Sequence, residues 1–97
     1  HYLDGKVALV AGTHTHVQTA DEKILEKGTG YITDLGLTGA VDSILGMKKS
    51  KVLKKYTTKM PERYEVATGQ CKIEGAIFEV DENSNKTLNI TRISKKD

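Results

Sequence analysis

The residues best placed to do chemistry are His14 and His16, two apart in the segment Gly12-Thr13-His14-Thr15-His16. If that segment is extended, the period-two geometry of a strand puts both imidazoles on one side, roughly 6–7 Å apart at the backbone. Such a pair suits two nitrogens entering one metal site, or one nitrogen on each of two metals about 3.5–4 Å apart. The other reading, two polar loop histidines without a ligand, stays open at this level. Asp21 and Asp34 are the acids that follow the pair most closely, and either could hold an imidazole N–H in place or cap a turn. Gln18 and Thr19 are candidates for contact with a phosphate. Gly28-Thr29-Gly30 lacks the third glycine and the following helix of a dinucleotide fingerprint, so it reads as a turn.

The elements around these residues follow from the hydrophobic pattern. Val7-Ala8-Leu9-Val10-Ala11 is a short apolar run closed by Gly12, which predicts a strand buried on both faces in a layered sheet. The polar stretch from Thr13 to Asp21 then leaves its carboxyl end as a loop, where ligands bind in open α/β sheets. Ile24-Leu25 and Tyr31-Ile32-Thr33 read as two short strands around the glycine turn. Residues 43–60 are helical in pattern, with Val52, Leu53, Tyr56 and Met60 on one face, Ser43 or Ser50 as cap, and Pro61 as the stop. From Tyr64 the pattern turns to β. Cys71, Ile73, Gly75 and Ile77 alternate with Lys72, Glu74, Ala76 and Phe78, and the turn cluster 81–85 leads to a partner strand carrying Leu88 and Ile90. Ile93 falls out of phase with those two, which predicts an irregularity near Thr91-Arg92.

Composition sets the bounds. The chain has 97 residues, 37% of them hydrophobic and nine of them glycine, inside the globular range. No apolar run approaches the ~18 residues of a membrane span. Residues 1–5 have neither a basic nor an apolar signal region, so a cytoplasmic location is expected; the absence of an initiator Met points to processing, truncation or partial ordering. The lone Cys71 fits a reducing compartment. Asn85 and Asn89 head sequons that read as chance matches. Net charge is only +2, but residues 48–59 hold six lysines and no acid, while acids outnumber bases elsewhere. That run reads as a solvated helix face, and the chain as a whole has no nucleic-acid signature.

The segments 11–21 and 30–39, together with Tyr2-Leu3-Asp4-Gly5 and Asp42-Ser43-Ile44-Leu45-Gly46-Met47, resemble the C-terminal part of the YmdB-like branch of calcineurin-like metallophosphoesterases. The resemblance covers essentially the whole chain, in motif over residues 2–47 and in pattern from Tyr64 onward. Thr13 separates Gly12 from His14, a departure from the Gly-His-x-His of the wider superfamily that agrees with the branch. The resemblance implies an α/β fold, the C-terminal part of a four-layer α/β/β/α sandwich with mixed and antiparallel strands and one main helix. It implies a centre of two metal ions, iron or manganese, with His14 and His16 each ligating one. It implies hydrolysis of phosphodiesters, 2′,3′-cyclic nucleotides among them, by a metal-activated hydroxide. The family's other ligands lie upstream of this segment and are absent here, and two imidazoles are too few for two such metals. The 97 residues alone are therefore expected to be inactive and poorly folded, completed by the N-terminal part of the same protein and assembling as a homo-oligomer. The competing reading is a metal-free binding or oligomerisation module, in which residues 71–93 make the contacts.

Overall fold

Gly30-Tyr31-Ile32 has a neighbour on each side, and the first sheet is built around it. The computed structural model describes residues 1–61, 63 and 65–97. Among them are strands β1 (Leu9–Ala11), β2 (Lys23–Ile24), β3 (Gly30–Ile32), β4 (Gly39–Ala40), β5 (Cys71–Val80) and β6 (Thr87–Lys96), and one helix, α1 (Lys49–Thr58). The architecture is mixed α/β. The strands form two sheets, ordered β1-β3-β2 and β4-β5-β6, and the chain divides into two compact units. The first comprises residues 1–36 and 74–93, the second residues 37–73 and 94–97, so β5 and β6 run through both.

In the first unit β3 pairs parallel with β1, Val10 opposite Tyr31, and antiparallel with β2, Lys23 opposite Tyr31. The β2–β3 turn is the expected glycine turn. Gly28 sits at φ +96°, and its N–H donates to Leu25 O at 2.9 Å. The unit's interior is partly polar. Beside fully buried Ile32 lie Thr29, Asp34, Thr87 and Asp4, each satisfied, as buried polar groups must be. Thr29 Oγ1 donates to Val7 O at 2.7 Å and accepts the Gly5 N–H at 2.8 Å. Thr87 Oγ1 donates to Ala8 O at 2.7 Å. The carboxylate of Asp4 accepts the Lys27 N–H at 3.0 Å and the Thr29 N–H at 3.4 Å.

Burial on both faces of β1 is not what this chain provides. The strand is shorter than the apolar run, and Val7 and Leu9 are each 39% exposed. The cause is position: β1 is the edge of its three-stranded sheet, with one neighbour strand among the described residues. The β5 alternation holds in register, but Lys72, Glu74, Ala76 and Phe78 are the half-buried side, while Ile73 and Ile77 stay more than half exposed. In β6 the covered positions are Thr87, Ile90 and Ile93, three apart rather than two, which is the irregularity Ile93 announced. Leu88 is exposed where Ile90 is half-buried.

The second unit holds β4 against β5, Gly39 opposite Lys72, and has its interior at Ala40, Val52 and Ala67. Its helix is shorter than the pattern over 43–60. Neither serine caps it: Lys48 occupies the N-cap without a side-chain bond. Ser43 Oγ instead donates to Ala40 O at 2.7 Å and accepts the Gly46 N–H at 3.0 Å, so the residues before the helix are committed to a turn. At the other end Lys59 turns left-handed, φ +55°, and its N–H donates to Lys55 O, ending the helix before Pro61. Of the apolar stripe only Val52 is buried; Leu53, Tyr56 and Met60 are exposed. The strand pattern expected from Tyr64 starts outside the described residues, and Val66 makes a single bridge to Met47. Among the described residues no helix is long and apolar enough to cross a membrane.

Ile32 is the largest fully buried side chain of the first unit. Ile32→Ala in the full-length chain is expected to cost about 2–5 kcal/mol, read as a lower urea midpoint. A midpoint within error of wild type would show that this interior does not hold the unit together.

Candidate functional site

The histidine loop begins where β1 runs out of partners. Gly12 N–H donates to Ile32 O at 3.2 Å, and Gly12 O accepts the Leu35 N–H at 2.9 Å, so the strand end is clamped to the residues after β3. The approach is too close for a side chain: a Cβ on Gly12 would collide with the carbonyl oxygen of Thr33.

The loop itself is not extended. It bends through residues 14–17, with His16 in the left-handed region at φ +62°. A same-side pair by strand periodicity is therefore not how the two imidazoles are set. The cause is Asp34, nearly fully buried. Its Oδ2 accepts the N–H of His14 at 2.9 Å, the N–H of Thr15 at 2.6 Å and the hydroxyl of Thr15 at 2.8 Å, and its Oδ1 accepts the Gly36 N–H at 2.9 Å. One carboxylate gathering these donors curls the backbone around itself. The bonds from Gly36 and then from His14 hold its pKa well below the usual carboxylate range. Asp34 thus positions His14 through the main chain rather than through the ring.

Thr19 and Asp21 close the loop's far end. Thr19 N–H donates to Asp34 O at 3.1 Å, and Thr19 Oγ1 accepts the Asp34 N–H at 3.0 Å, a reciprocal pair that fastens the loop to the residues after β3. The same hydroxyl lies 2.6 Å from Asp21 Oδ1, which also accepts the Thr33 N–H at 3.1 Å, while Asp21 Oδ2 accepts the Thr33 hydroxyl. These bonds, Thr19 first, lower the Asp21 pKa to about 2. Gln18 spends its amide hydrogens on the main chain. Its Nε2 lies 2.9 Å from Gly75 O in β5 and 3.0 Å from Ile93 O in β6, tying the loop to the long hairpin.

What remains for chemistry is the pair of imidazoles. His14 is exposed. His16 is half-buried, and its Nδ1 is shielded from solvent without a hydrogen-bond partner. A buried lone pair or N–H left unpaired is costly, and a metal ion is one group that would satisfy it. Among the described residues no cluster of three or more His, Cys, Asp or Glu side chains could hold a metal, so these residues supply at most part of a ligand set. Thr15 is the loop residue that sequence reasoning passed over. Its hydroxyl reaches both Asp34 and Val17 O, a role that a threonine between two histidines does not reveal without its partner.

A family model described as YmdB-like protein matches residues 1–93. The chain is 48% identical over 92 residues to the 2′,3′-cyclic-nucleotide 2′-phosphodiesterase of Bacillus subtilis (strain 168), an alignment covering 95% of this chain and 35% of that protein. Among solved structures, a hypothetical protein from Thermus thermophilus superposes with a TM-score of 0.88 at 34% identity, covering 99% of this chain and 37% of the other. A phosphatase from Mycoplasma pneumoniae superposes with a TM-score of 0.87 at 35% identity, covering 97% and 34%. The chain thus spans about a third of the length of the curated relatives it matches.

The loop's bonding makes two predictions for the full-length chain. Asp21 has a folded pKa lowered from 3.8 to about 2. Its contribution to stability is present in full above its ordinary pKa and is lost as pH falls toward the folded value. Urea midpoints should therefore drop between pH 3.8 and about 2, and Asp21→Asn should flatten that dependence; an equally steep fall in the variant would remove Asp21 from the account. Gly12→Ala should disorder the loop through the clash with Thr33 O, measured as faster amide exchange at residues 12–19, and unchanged exchange would show that the strand end can give way.

Proposed function

Because the chain belongs to the YmdB-like protein family, we propose that it is the C-terminal, histidine-bearing part of a metal-dependent phosphodiesterase that hydrolyses phosphodiesters such as 2′,3′-cyclic nucleotides. The observation that carries this reading is the buried, unpartnered Nδ1 of His16, in a loop whose backbone is locked by Asp34 beyond the carboxyl end of β1. The name of the B. subtilis relative and the fold shared with the M. pneumoniae phosphatase support it.

His14 and His16 are the residues of this chain that would hold a pair of metal ions, iron or manganese. When bound, such ions supply Lewis acidity toward phosphoryl oxygens and lower the pKa of water. The chain's own contribution is rigidity. Ligand geometry at a metal centre depends on the groups that orient the ligands, and here orientation runs through the main chain. Asp34 stays ionised and grips the N–H groups of His14 and Thr15. Thr19 and Asp21 fasten the loop's return, and Gln18 ties it to β5 and β6. We assign Gln18, Thr19 and Asp21 to holding the loop. The remaining ligands, carboxylate and amide oxygens among them, come from outside these 97 residues, as does the layer that covers the exposed apolar side chains of β1 and β5 in a four-layer sandwich.

In the full-length protein His14→Ala and His16→Ala should each lower bound metal, measured by elemental analysis, and cut turnover of 2′,3′-cyclic AMP by more than about 100-fold. Asp34→Asn, which leaves both ligands in place, should weaken metal affinity by about 10–100-fold. Unchanged metal stoichiometry and turnover in both histidine variants would overturn the ligand assignment and favour the metal-free binding module.

A further inference from the structure

At the opposite end of β1 from the histidines, three lysines far apart in sequence border one cavity. Lys6, Lys27 and Lys86 line one pocket of about 190 Å³, together with Gly5, Val7, Ala8, Gly28, Ser84 and Asn85. No aspartate or glutamate is among the lining residues. None of the three ammonium groups pairs with a carboxylate among the described residues. Two acids that bond to the segments carrying these lysines, Asp4 and Asp81, are directed at other donors. Asp4 accepts the main-chain N–H groups of Lys27 at 3.0 Å and Thr29 at 3.4 Å, and Asp81 accepts the Asn83 N–H and the Ser84 hydroxyl, both at 3.0 Å.

The lysines are seated rather than loose. Their stems lie on glycine backbone: a Cβ on Gly28 would sit 2.7 Å from Lys86 Cγ, and one on Gly5 would sit 2.9 Å from Lys27 Cβ. The segments that carry them are pinned by the buried network, Thr87 N–H to Gly28 O at 2.9 Å, Thr87 Oγ1 to Ala8 O, and Gly5 N–H to Thr29 Oγ1. Lys6 Nζ is held 3.9 Å over the Tyr2 ring. Seated stems concentrate like charges that would otherwise separate, which creates a local positive potential in a concave site.

We propose that this pocket binds the phosphate group of a small phosphorylated molecule through Lys6, Lys27 and Lys86. Lysine is a point-charge binder of phosphate, and three of them around one pocket match a multiply charged anion. The convergence on a single small cavity favours a terminal phosphate or diphosphate over a polynucleotide, which needs a basic groove with stacking aromatics along it. The site lies at the amino end of β1 and the histidine loop at its carboxyl end, so the pocket is a second anion site, independent of the proposed metal centre.

The test is calorimetric titration of pyrophosphate into the full-length chain at low salt, where such attraction is least screened. Lys27→Gln/Lys86→Gln should weaken binding by about tenfold or more, and Lys27→Arg/Lys86→Arg should retain it. Lys95→Gln/Lys96→Gln, a pair outside the pocket, should match wild type. Because the lysines are exposed, melting temperatures should not change. Both histidines are intact in every variant, so a difference between variants reads this pocket and not the metal site. Equal affinity in the glutamine pair and wild type, or no binding by wild type, would overturn the proposal. Tighter binding of a short single-stranded oligonucleotide than of pyrophosphate, lost with the same lysines, would overturn it in favour of a polynucleotide.

Discussion

The Asp34 carboxylate is the constraint on which the histidine loop depends. It is buried, it is held ionised by main-chain donors, and those donors belong to His14, Thr15 and Gly36. A buried carboxylate is tolerable only if its lone pairs are met. Asp34 meets that demand by drawing the loop around itself, which puts His16 into a left-handed turn that strand geometry would never place there. The histidines are thus positioned as a consequence of satisfying a charge. The reciprocal bonds between Thr19 and Asp34 make the arrangement cooperative, since loosening either side exposes the other.

The same economy governs the first unit as a whole. Its strands β1, β2 and β3 are two or three residues long and cannot specify much by ladder bonds alone. Instead, side-chain hydroxyls, carboxylates and an amide reach across large sequence separations to main-chain groups: Thr87 to Ala8, Thr29 to Val7, Asp4 to Lys27, Gln18 to Gly75 and Ile93. Interior polarity of this kind is well suited to fixing loops at both ends of β1, where a purely apolar interior would leave the main chain unpaired. It is less suited to generating stability by burial, and the described residues bury few large apolar side chains. Leu53 and Tyr56 of α1, Met60 just beyond it, and Ile73 and Ile77 of β5 are exposed as well.

Much of this was legible in the residues themselves. The glycine turn before β3, the long hairpin with its 81–85 turn, the irregularity around Ile93, the loop after β1 and the family all follow from local pattern, because turn chemistry and strand alternation are short-range properties. The pair His14 and His16 is conspicuous for the same reason. Helix α1 was legible in existence but not in extent: whether Ser43 caps a helix or builds a turn is a competition among nearby acceptors, and the carbonyl of Ala40 wins it.

What only the tertiary structure decided is everything that depends on partners distant in sequence. Asp34 could have faced an imidazole, a turn or solvent; that it grips the main chain of His14 and Thr15, about twenty residues earlier, is visible only when β1 and β3 are side by side. Val7–Ala11 reads as a doubly buried strand because apolarity is a property of the residues. Burial is a property of neighbours, and β1 has one neighbour strand among the described residues. The lysines make the contrast sharpest. The conspicuous run at 48–59 surrounds a helix, whereas Lys6, Lys27 and Lys86 share a pocket that no local pattern foretells. Local pattern determines which element each segment forms; convergence of charge is decided by how the chain returns on itself.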